Sequence, residues 1–255
     1  MLISFIIVNY QSYSDLINCL NSAKRFLKPI ANYEFIIVNN ESQFLKIIPR
    51  FPFTVKVFQN SANNGFGVAC NLGARQAQGD FLFFLNPDTE FTDKKVWEML
   101  YKIKTTPHLG IIGPRIIEAK RNAPQPWTSG KKISLSSIIF RNTFNKSWNK
   151  KTPVEVDWVS GTALMIRKSL FEKLAGFDEK FWMYFEDQDL CLRAKNLGLK
   201  VLFYPHCTIL HHNGKSWSDG KSQKIAYYQS QKYFFQKHHG KISQLFLKLL
   251  HKIIL

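Results

Sequence analysis

Acidic and imidazole side chains occur at three places in the sequence where their types could support chemistry. At the first, Asp88 directly follows the run Phe81–Leu85 and the pair Asn86-Pro87. An uninterrupted apolar run this short predicts a strand buried on both faces, and proline ends its hydrogen-bonding ladder. Asp88 is therefore expected at the carboxyl end of a central strand, where open α/β sheets bind their ligands. A plain turn residue after proline is the alternative.

The second place is the stretch 176–193, GFDEKFWMYFEDQDLCLR, which holds five of the eighteen acidic residues and is interspersed with aromatic residues. Glu186 and Asp187 lie where a helix is predicted to begin, so capping and the helix dipole also account for them. Burial behind aromatic rings would instead raise the pKa of a carboxylate and make it a better base.

The pair His211-His212 is the third place. An imidazole combined with Asp88 would suit Mn²⁺, or Mg²⁺ less well, whereas ordinary surface histidines produce the same pattern. Glycines in 63–73, NNGFGVACNLG, precede a predicted helix. They would let the backbone approach a phosphate, and a plain helix start explains them too.

Strands and helices alternate around these residues. The predicted strands are Leu2–Val8, Phe35–Val38, Thr54–Phe58, Phe81–Leu85, Leu109–Ile112, a pair within Val154–Ile166, and Lys200–Tyr204. The predicted helices are 12–27, Phe66–Gln78, Lys94–Lys104, Lys168–Leu174, Asp187–Leu197, 222–238 and 241–254. This order predicts an α/β fold with a mostly parallel, doubly wound sheet through about residue 117. The polar stretch 119–152 is predicted to be a long surface excursion.

The net charge and the cysteines indicate the kind of partner and the cellular compartment of the protein. The balance of 35 basic and 18 acidic residues gives a net charge of +17, which indicates an anionic partner. Four separated cysteines without a CxxC pair indicate a reducing compartment. The apolar N-terminus is too short for a signal peptide, and no other run approaches the ~20 residues that span a bilayer. We expect a cytosolic protein, or one attached to a membrane from the cytosolic side.

The tail 241–255 has the spacing of an amphipathic helix. Its apolar stripe comprises Ile242, Leu245, Phe246, Leu249, Leu250, Ile253 and Ile254, with lysines off the stripe. A helix lying in an anionic membrane interface fits this pattern, and so does a helix packed on the domain.

The order of these motifs resembles family-2 glycosyltransferases of the GT-A fold, in the bacterial rhamnosyltransferase-like branch. The resemblance covers nearly the whole chain. It rests on SFIIVNYQ (4–11), VNNES (38–42), NNGFGVACNLGARQAQG (63–79), FLFFLNPDTE (81–90), IGPRI (112–116), WVSGTALMIRKS (158–169), GFDEKFWMYFEDQDLCLRAKNLG (176–198), ILHHNGKS (209–216) and SQKYFFQKHHG (230–240).

The resemblance implies transfer of a sugar from a nucleoside diphosphate to a hydroxyl, with inversion. It makes Asp187, within the Glu186-Asp187 pair, the catalytic base. It makes Asp88 the last residue of a metal-binding DXD and His211 a further ligand. A divalent cation, Mn²⁺ or Mg²⁺, would neutralise the leaving diphosphate.

The resemblance also assigns substrate contacts. The implied donor-binding residues are Val8, Asn9, Tyr10, Asn39, Asn63, Gly65, Phe66, Asn71, Arg75, Asn86 and Asp88. The implied acceptor-binding residues are Trp158, Ser160, Gly161, Trp182 and Tyr184, although core packing would equally explain the last two. Asn39 replaces the usual aspartate that contacts the base, and Asn86 replaces the first acid of the DXD. An amide oxygen at Asn39 would still accept a hydrogen bond from uracil or thymine.

The sequence therefore predicts a GT-A-like, Rossmann-like domain over 1–220, with nucleotide binding at about 1–117 and acceptor binding at about 153–220. Residues 221–255 are expected to form a helical extension that associates with an anionic membrane surface.

The expected reaction transfers L-rhamnose from dTDP-L-rhamnose to a saccharide or lipid-linked acceptor in bacterial surface polysaccharide assembly, at the cytoplasmic face of the inner membrane. Transfer of a UDP-hexose or galactofuranose at the same site is an alternative, as is a catalytically inactive membrane adaptor. A nucleic-acid-binding protein would also use the charge, but the sequence has no such motif, and no nucleic acid is expected.

Overall fold

The computed structural model describes residues 2–27, 32–45, 48–135, 137, 146–213 and 220–254, and within 241–254 the side chains of residues 243 and 247. The strands are β1 Leu2–Asn9, β2 Asn32–Asn39, β3 Thr54–Gln59, β4 Phe81–Leu85, β5 Thr89–Phe91, β6 Leu109–Glu118, β7 Ala123–Pro124, β8 Ser129–Gly130, β9 Val154–Val156, β10 Trp158–Val159, β11 Ala163–Arg167 and β12 Lys200–His211. The helices are α1 Tyr13–Phe26, α2 Phe66–Gln76, α3 Val96–Thr105, α4 Lys168–Lys173, α5 Glu186–Asn196 and α6 Gly220–Ile254.

Ten of the described strands form one sheet, whose main path runs β3-β2-β1-β4-β11-β6-β12-β5. The first four strands are parallel, and β12 is parallel to β6. Helices flank this sheet, so the predicted α/β class with a mostly parallel sheet is confirmed. β11 lies antiparallel between β4 and β6, an arrangement that the sequence did not predict.

The antiparallel strand β11 brings a distant segment to the end of β4. Its first residue, Ala163, pairs with Leu85, the last residue of β4. The backbone N–H of Asn86 then donates to the carbonyl of Thr162 at 3.0 Å. Residues 160–162 are therefore held beside the segment that carries Asp88.

Apolar side chains cover both faces of the parallel strands. Phe5, Phe35 and Phe83 pack on one face with residues of α1 and α3. The adjacent residues Ile6 and Phe84 point to the other face, toward α2 and α5, because side chains alternate along a strand. Burial on both faces explains why these strands are uninterrupted apolar runs.

Strand β12 is longer than predicted. The sequence indicated a strand that ends at Tyr204 and a loop at His211. The structure continues β12 to His211, with a register shift between Tyr204 and Thr208 where Pro205 interrupts the ladder. His211 pairs with Glu118 on one side and with Thr89 on the other.

Helix α6 packs on the rest of the chain through its own aromatic residues. Phe234, Phe235 and Leu247 form a buried cluster with Phe181 and Phe185. Gly240 interrupts the helix with a φ of 81°, which agrees with the predicted break between 238 and 241. The side chains of the predicted apolar stripe in the tail lie outside the described residues. Within the described part of the chain, no helix is both long and apolar enough to cross a membrane.

Candidate active site

A cavity of about 1070 Å³ opens at the carboxyl ends of β1 and β4. Asp88 and Asp187, which are separated by almost a hundred positions in the sequence, both line it. The sheet supplies Asp88, because β4 ends three residues before it, at Leu85. Helix α5 supplies the second, which is its second residue. The two acids that the sequence singled out therefore face a common space.

Asp88 is paired with His211 across the β5–β12 ladder. The Nε2 atom of His211 lies 3.2 Å from Oδ1 of Asp88, and both side chains are buried. Gln125 fixes the other side of the ring, with its Oε1 atom 2.7 Å from Nδ1 of His211. The amide of Gln125 is itself oriented, because its Nε2 atom donates to Oδ1 of Asn213 at 3.2 Å.

These contacts determine which nitrogen of His211 points toward Asp88. In the neutral tautomer in which Nδ1 donates to Oε1 of Gln125, Nε2 presents its lone pair toward the Asp88 carboxylate. Two acceptors at this distance repel unless a proton or a cation lies between them. A carboxylate with an imidazole whose second nitrogen is hydrogen-bonded is a donor set suited to a divalent metal. Among the described residues, no cluster of three or more histidine, cysteine, aspartate or glutamate side chains that could hold a metal occurs.

The backbone before Glu186 and Asp187 is unusual. Tyr184 and Phe185 both have a positive φ, 71° and 68°, in a region that bulky side chains rarely adopt. The resulting turn starts α5 with Glu186 and directs the Asp187 carboxylate into the cavity. Oδ2 of Asp187 accepts a hydrogen bond from the backbone N–H of Gly161 at 2.8 Å, and Oδ1 accepts one from Gln188 at 2.7 Å.

Burial changes the acidity of both carboxyl groups. It raises the pKa of Asp187, although the backbone N–H groups of Gly161 and Gln188 oppose the rise. Burial also raises the pKa of Glu186 well above its ordinary value, and the neighbouring charge of Asp187 raises it further. Oε2 of Glu186 has no hydrogen-bond partner among the described residues. The rise is the larger for Glu186, so Asp187 is the member of the pair that ionises first.

The loop before α2 contacts the loop before α5. The backbone N–H of Phe66 donates to the carbonyl of Trp182 at 2.9 Å. Gly65 has a φ of 94°, and an added Cβ would lie 2.4 Å from that same carbonyl oxygen. Glycine is therefore required at this close approach. Asn63 supports the turn, since its Oδ1 accepts hydrogen bonds from the backbone of Gly65 and the side chain of Asn40.

Most of the residues that the resemblance assigned lie on the cavity wall. These are Val8, Tyr10, Asn63, Phe66, Asn86, Asp88, Trp158, Ser160, Gly161, Trp182, Tyr184, Glu186, Asp187 and His211. Their side chains or backbone come from β1, the end of β4, the β10–β11 turn and the loop before α5. Their individual contacts with a substrate remain predictions.

Five assigned donor residues lie off the wall that the described residues form. The amide of Asn39 is fully buried, where its Oδ1 accepts from Asn9 at 2.8 Å and its Nδ2 donates to Gln59. The group that was expected to contact the base therefore has partners within the chain, and its contact with a nucleotide stays a prediction. Gly65 gives space to Trp182 rather than to the cavity.

The other two residues off the wall belong to α2. Asn71 is buried, and its side chain forms hydrogen bonds of 2.9 Å with both the backbone nitrogen and the carbonyl of Phe177. It therefore holds the acidic, aromatic stretch against α2. Arg75 is exposed in the last turn of the helix. Both side chains thus lie off the wall of this cavity, and their contact with a donor stays a prediction.

Two parts of the wall were not predicted. Gln125, Trp127 and Thr128 come from the stretch that was expected to run over the surface, and hydrogen bonds such as that from Thr128 to the carbonyl of Gln125 fold it inward. Trp127 and Trp148, apolar residues within this otherwise polar stretch, were the sign in the sequence that part of it packs against the protein. The second part comes from α6 and comprises Gln223, Lys224, Tyr227, Tyr228 and Gln231. The predicted extension therefore closes one side of the site.

The sequence profile of glycosyl transferase family 2 matches residues 4–175 of the chain, which is more than half of it. A second profile, described as the N-terminal domain of galactosyltransferase, matches residues 142–214. The two matches together span the sheet, both acids and His211.

A curated relative is the N-acetylglucosaminyl-diphospho-decaprenol L-rhamnosyltransferase of Mycobacterium tuberculosis. It is 27% identical over 217 residues, which cover 76% of this chain and 70% of the relative.

Two solved structures share the fold. GalNAc-T7 with UDP, GalNAc and Mn²⁺ has a TM-score of 0.68 at 17% identity, covering 92% of this chain. This chain spans only about half of that structure, 48% of its length. The mannosyltransferase PcManGT of Pyrobaculum calidifontis, in complex with GDP-Man and Mn²⁺, has a TM-score of 0.65 at 14% identity, covering 94% of this chain and 64% of that one.

Proposed function

Because the chain belongs to glycosyl transferase family 2 and is a glycosyltransferase, we propose that it transfers a sugar from a nucleoside diphosphate to a hydroxyl with inversion. The observation that carries this proposal is the single cavity that both Asp88 and Asp187 line. Inversion needs one carboxylate base and a stabilised leaving group, and it needs no carboxylate nucleophile. The cavity offers that combination.

Asp187 is the proposed base. Its carboxylate takes the proton of the acceptor hydroxyl while the acceptor oxygen bonds to the anomeric carbon and the bond to the diphosphate oxygen breaks. The N–H groups of Gly161 and Gln188 hold the carboxylate in place, and burial raises its pKa and makes it more basic. A contribution of roughly 10²–10⁴-fold to the rate is typical of such a group.

Asp88 and His211 are the proposed metal ligands. Mn²⁺ or Mg²⁺ bound there would neutralise charge on the departing diphosphate as a Lewis acid. Gln125 holds the His211 ring so that Nε2 faces Asp88. Two structures of similar fold, one with UDP and Mn²⁺ and the other with GDP-Man and Mn²⁺, support a divalent cation here.

For the donor we propose dTDP-L-rhamnose, with a UDP-hexose as the alternative. The support is the relative in Mycobacterium tuberculosis that is named an L-rhamnosyltransferase. The proposed acceptor is a saccharide or lipid-linked saccharide of a bacterial surface polysaccharide, because that relative's name contains a lipid diphosphate. Such an acceptor would bring the protein to the cytoplasmic face of the inner membrane, where 241–255 would contact anionic lipid.

A panel of nucleotide sugars tests the donor proposal. We expect dTDP-L-rhamnose with Mn²⁺ to raise the melting temperature most, because a ligand that binds the native state stabilises it by mass action. The same panel on the Asp88→Asn variant shows whether the stabilisation depends on this site. A larger shift with UDP-glucose or UDP-galactofuranose would overturn the rhamnose assignment and keep the transferase. No shift with any member of the panel would contradict donor binding itself.

A further inference from the structure

Helix α6 contacts the strained turn at Tyr184 and Phe185, which leads into the proposed base. Oγ of Ser230 donates to the carbonyl of Met183 at 2.7 Å, one residue before the two residues with positive φ. Nε2 of Gln223 donates to the hydroxyl of Tyr184 at 3.0 Å. The rings of Tyr227 and Phe234 lie 5.2 Å and 5.4 Å from that of Phe185. A left-handed backbone at bulky residues persists only where its surroundings determine it, and here α6 provides those surroundings.

Farther along α6, a lysine and a histidine contact a buried carboxylate on α5. Oδ1 of Asp189 lies 2.6 Å from Nζ of Lys237 and 2.7 Å from Nε2 of His238. Its Oδ2 atom accepts from Nε of Arg193 at 2.7 Å. The Asp189 carboxylate has no exposed surface. Asp189 lies two residues after Asp187 in the first turn of α5, so this contact joins α6 to the helix turn that presents the base.

Lys237 also joins α6 to the segment before the strained turn. Its Nζ atom lies 2.6 Å from Oδ2 of Asp178, which in addition accepts from the hydroxyl of Tyr233 at 2.8 Å. One ammonium group therefore bridges Asp178 and Asp189, which lie on either side of the turn at Tyr184. Loss of Lys237 would remove the cation that joins the two carboxylates, and each would then shift toward its other partners, Tyr233 for Asp178 and Arg193 for Asp189.

We propose that Lys237, together with His238, is a positioning residue that fixes the Asp187 carboxylate by tying both ends of the strained turn to α6. This inference rests on the proposed function, because it assigns Asp187 as the base. The same helix supplies Tyr227 and Gln231 to the cavity wall. The bridge thus sets the distance between the base and the wall on which the acceptor would lie.

Positioning and simple stabilisation predict different kinetics. A displacement of the base by about 1 Å can lower the rate roughly 100-fold, while donor contacts on β1 and β4 stay as they are. A purely stabilising bridge would lower only the melting temperature. The measured quantities are therefore kcat and the donor dissociation constant, compared at a temperature where each variant is folded.

The experiment compares Lys237→Met with Lys237→Arg, and uses Lys232→Met as the matched control on an exposed position of the same helix. We expect Lys237→Met to lower kcat at least 10-fold with an unchanged donor dissociation constant. Lys237→Arg keeps a cation between the two carboxylates and should restore most of the activity. Lys232→Met should behave as the unchanged protein.

Ser230→Ala provides a milder change at the same contact, for use if Lys237→Met fails to fold. It removes the hydrogen bond to the Met183 carbonyl, and we expect kcat to fall about 3- to 10-fold. If Lys237→Met folds and keeps its full kcat, the positioning role is overturned. If Lys237→Met does not fold, a full kcat in Ser230→Ala overturns it. An active Asp187→Asn variant would instead contradict the proposed base, so the two failures are distinguishable.

Discussion

The backbone nitrogen of Gly161 lies 2.8 Å from Oδ2 of Asp187 and donates a hydrogen bond to it. This contact joins the β10–β11 turn to the start of α5. It fixes this half-buried carboxylate beside the segment that carries Asp88, because the same turn also binds Asn86 through the Thr162 carbonyl. The positions of the two acids are thus coupled through one short turn.

Replacing the proposed base should separate catalysis from binding. We expect Asp187→Asn to lower kcat roughly 10²–10⁴-fold, because the amide cannot take the acceptor proton. The dissociation constant of the nucleotide sugar should stay within twofold, as measured by calorimetry.

Glu186→Gln is the matched control for that change. Burial and the neighbouring charge of Asp187 raise the pKa of Glu186 well above its ordinary value and favour its protonated form, so an amide of the same shape should retain most of the kcat. Equal losses in the two variants would show that the pair, rather than Asp187, carries the base function.

The pH dependence of kcat follows from the raised pKa of Asp187. Burial raises this pKa above the ordinary aspartate value of about 3.9, so the base loses its charge at a higher pH than a solvent-exposed aspartate would. Activity should therefore fall as the pH decreases through that raised value. The acidic side of the pH profile of kcat should stay at the same pH in Glu186→Gln, since a protonated Glu186 and a glutamine are both uncharged neighbours of Asp187. If kcat instead falls only at or below pH 4, the pKa of the base is not raised, and this would contradict a desolvated Asp187.

The Mn²⁺ concentration that activity requires should depend on Gln125, although this residue is not itself a proposed ligand. Gln125 accepts the Nδ1 proton of His211, and loss of such a supporting contact typically costs 10–100-fold in metal affinity. We expect Gln125→Ala to need that much more Mn²⁺ for half-maximal activity, measured by titration after chelation. Asn213→Ala should give a smaller change, because it acts through Gln125. Full activity in a chelator would remove the metal from the proposal.

Much of this arrangement could be predicted from local sequence. The parallel strands are recognisable because burial on both faces requires apolar runs such as Phe81–Leu85. The predicted helices 222–238 and 241–254 left a break between them, where Gly240 interrupts the last helix. Asp88 and Asp187 were identified because an acid at a strand end and an acid pair at a helix start have local signatures.

The remaining features depend on contacts between distant parts of the chain. Asn39 looked available to a nucleotide, but its amide is taken up by Asn9 and Gln59, which lie on neighbouring strands. Nothing near Gln125 in the sequence indicates that it supports His211, 86 positions away. Likewise, the inward face of α6 becomes recognisable only when Phe181 and Phe185 are seen to lie beneath it.

Aromatic side chains on the cavity wall should determine acceptor affinity. Trp182 is 40% exposed and Tyr227 is 39% exposed, and both line the cavity. A partly exposed ring on a cavity wall can stack on a sugar, which a core residue cannot do. We expect Trp182→Ala and Tyr227→Ala each to raise the acceptor KM about 10-fold with little change in the donor KM. Tyr101→Ala, at an exposed site on α3, is the control. An unchanged acceptor KM in both variants would assign these rings to packing alone.

Binding to anionic membranes should depend on the charges of the tail rather than on the net charge alone. The chain carries +17, and a basic amphipathic segment is attracted to anionic lipid by about 1 kcal/mol per basic residue near the surface. We therefore expect the full chain to sediment with phosphatidylglycerol vesicles at low salt, and the double change Lys248→Glu and Lys252→Glu to weaken this binding at least 10-fold.

The control, Lys102→Glu with Lys104→Glu on α3, changes the net charge equally at exposed positions. Because Leu247 is buried in the cluster with Phe181 and Phe185, substitution is preferable to deletion of the tail, which would also disturb the fold. Equal weakening by the two pairs would mean that the membrane attracts the protein's overall charge, and no sedimentation of the full chain would remove the membrane from the proposal.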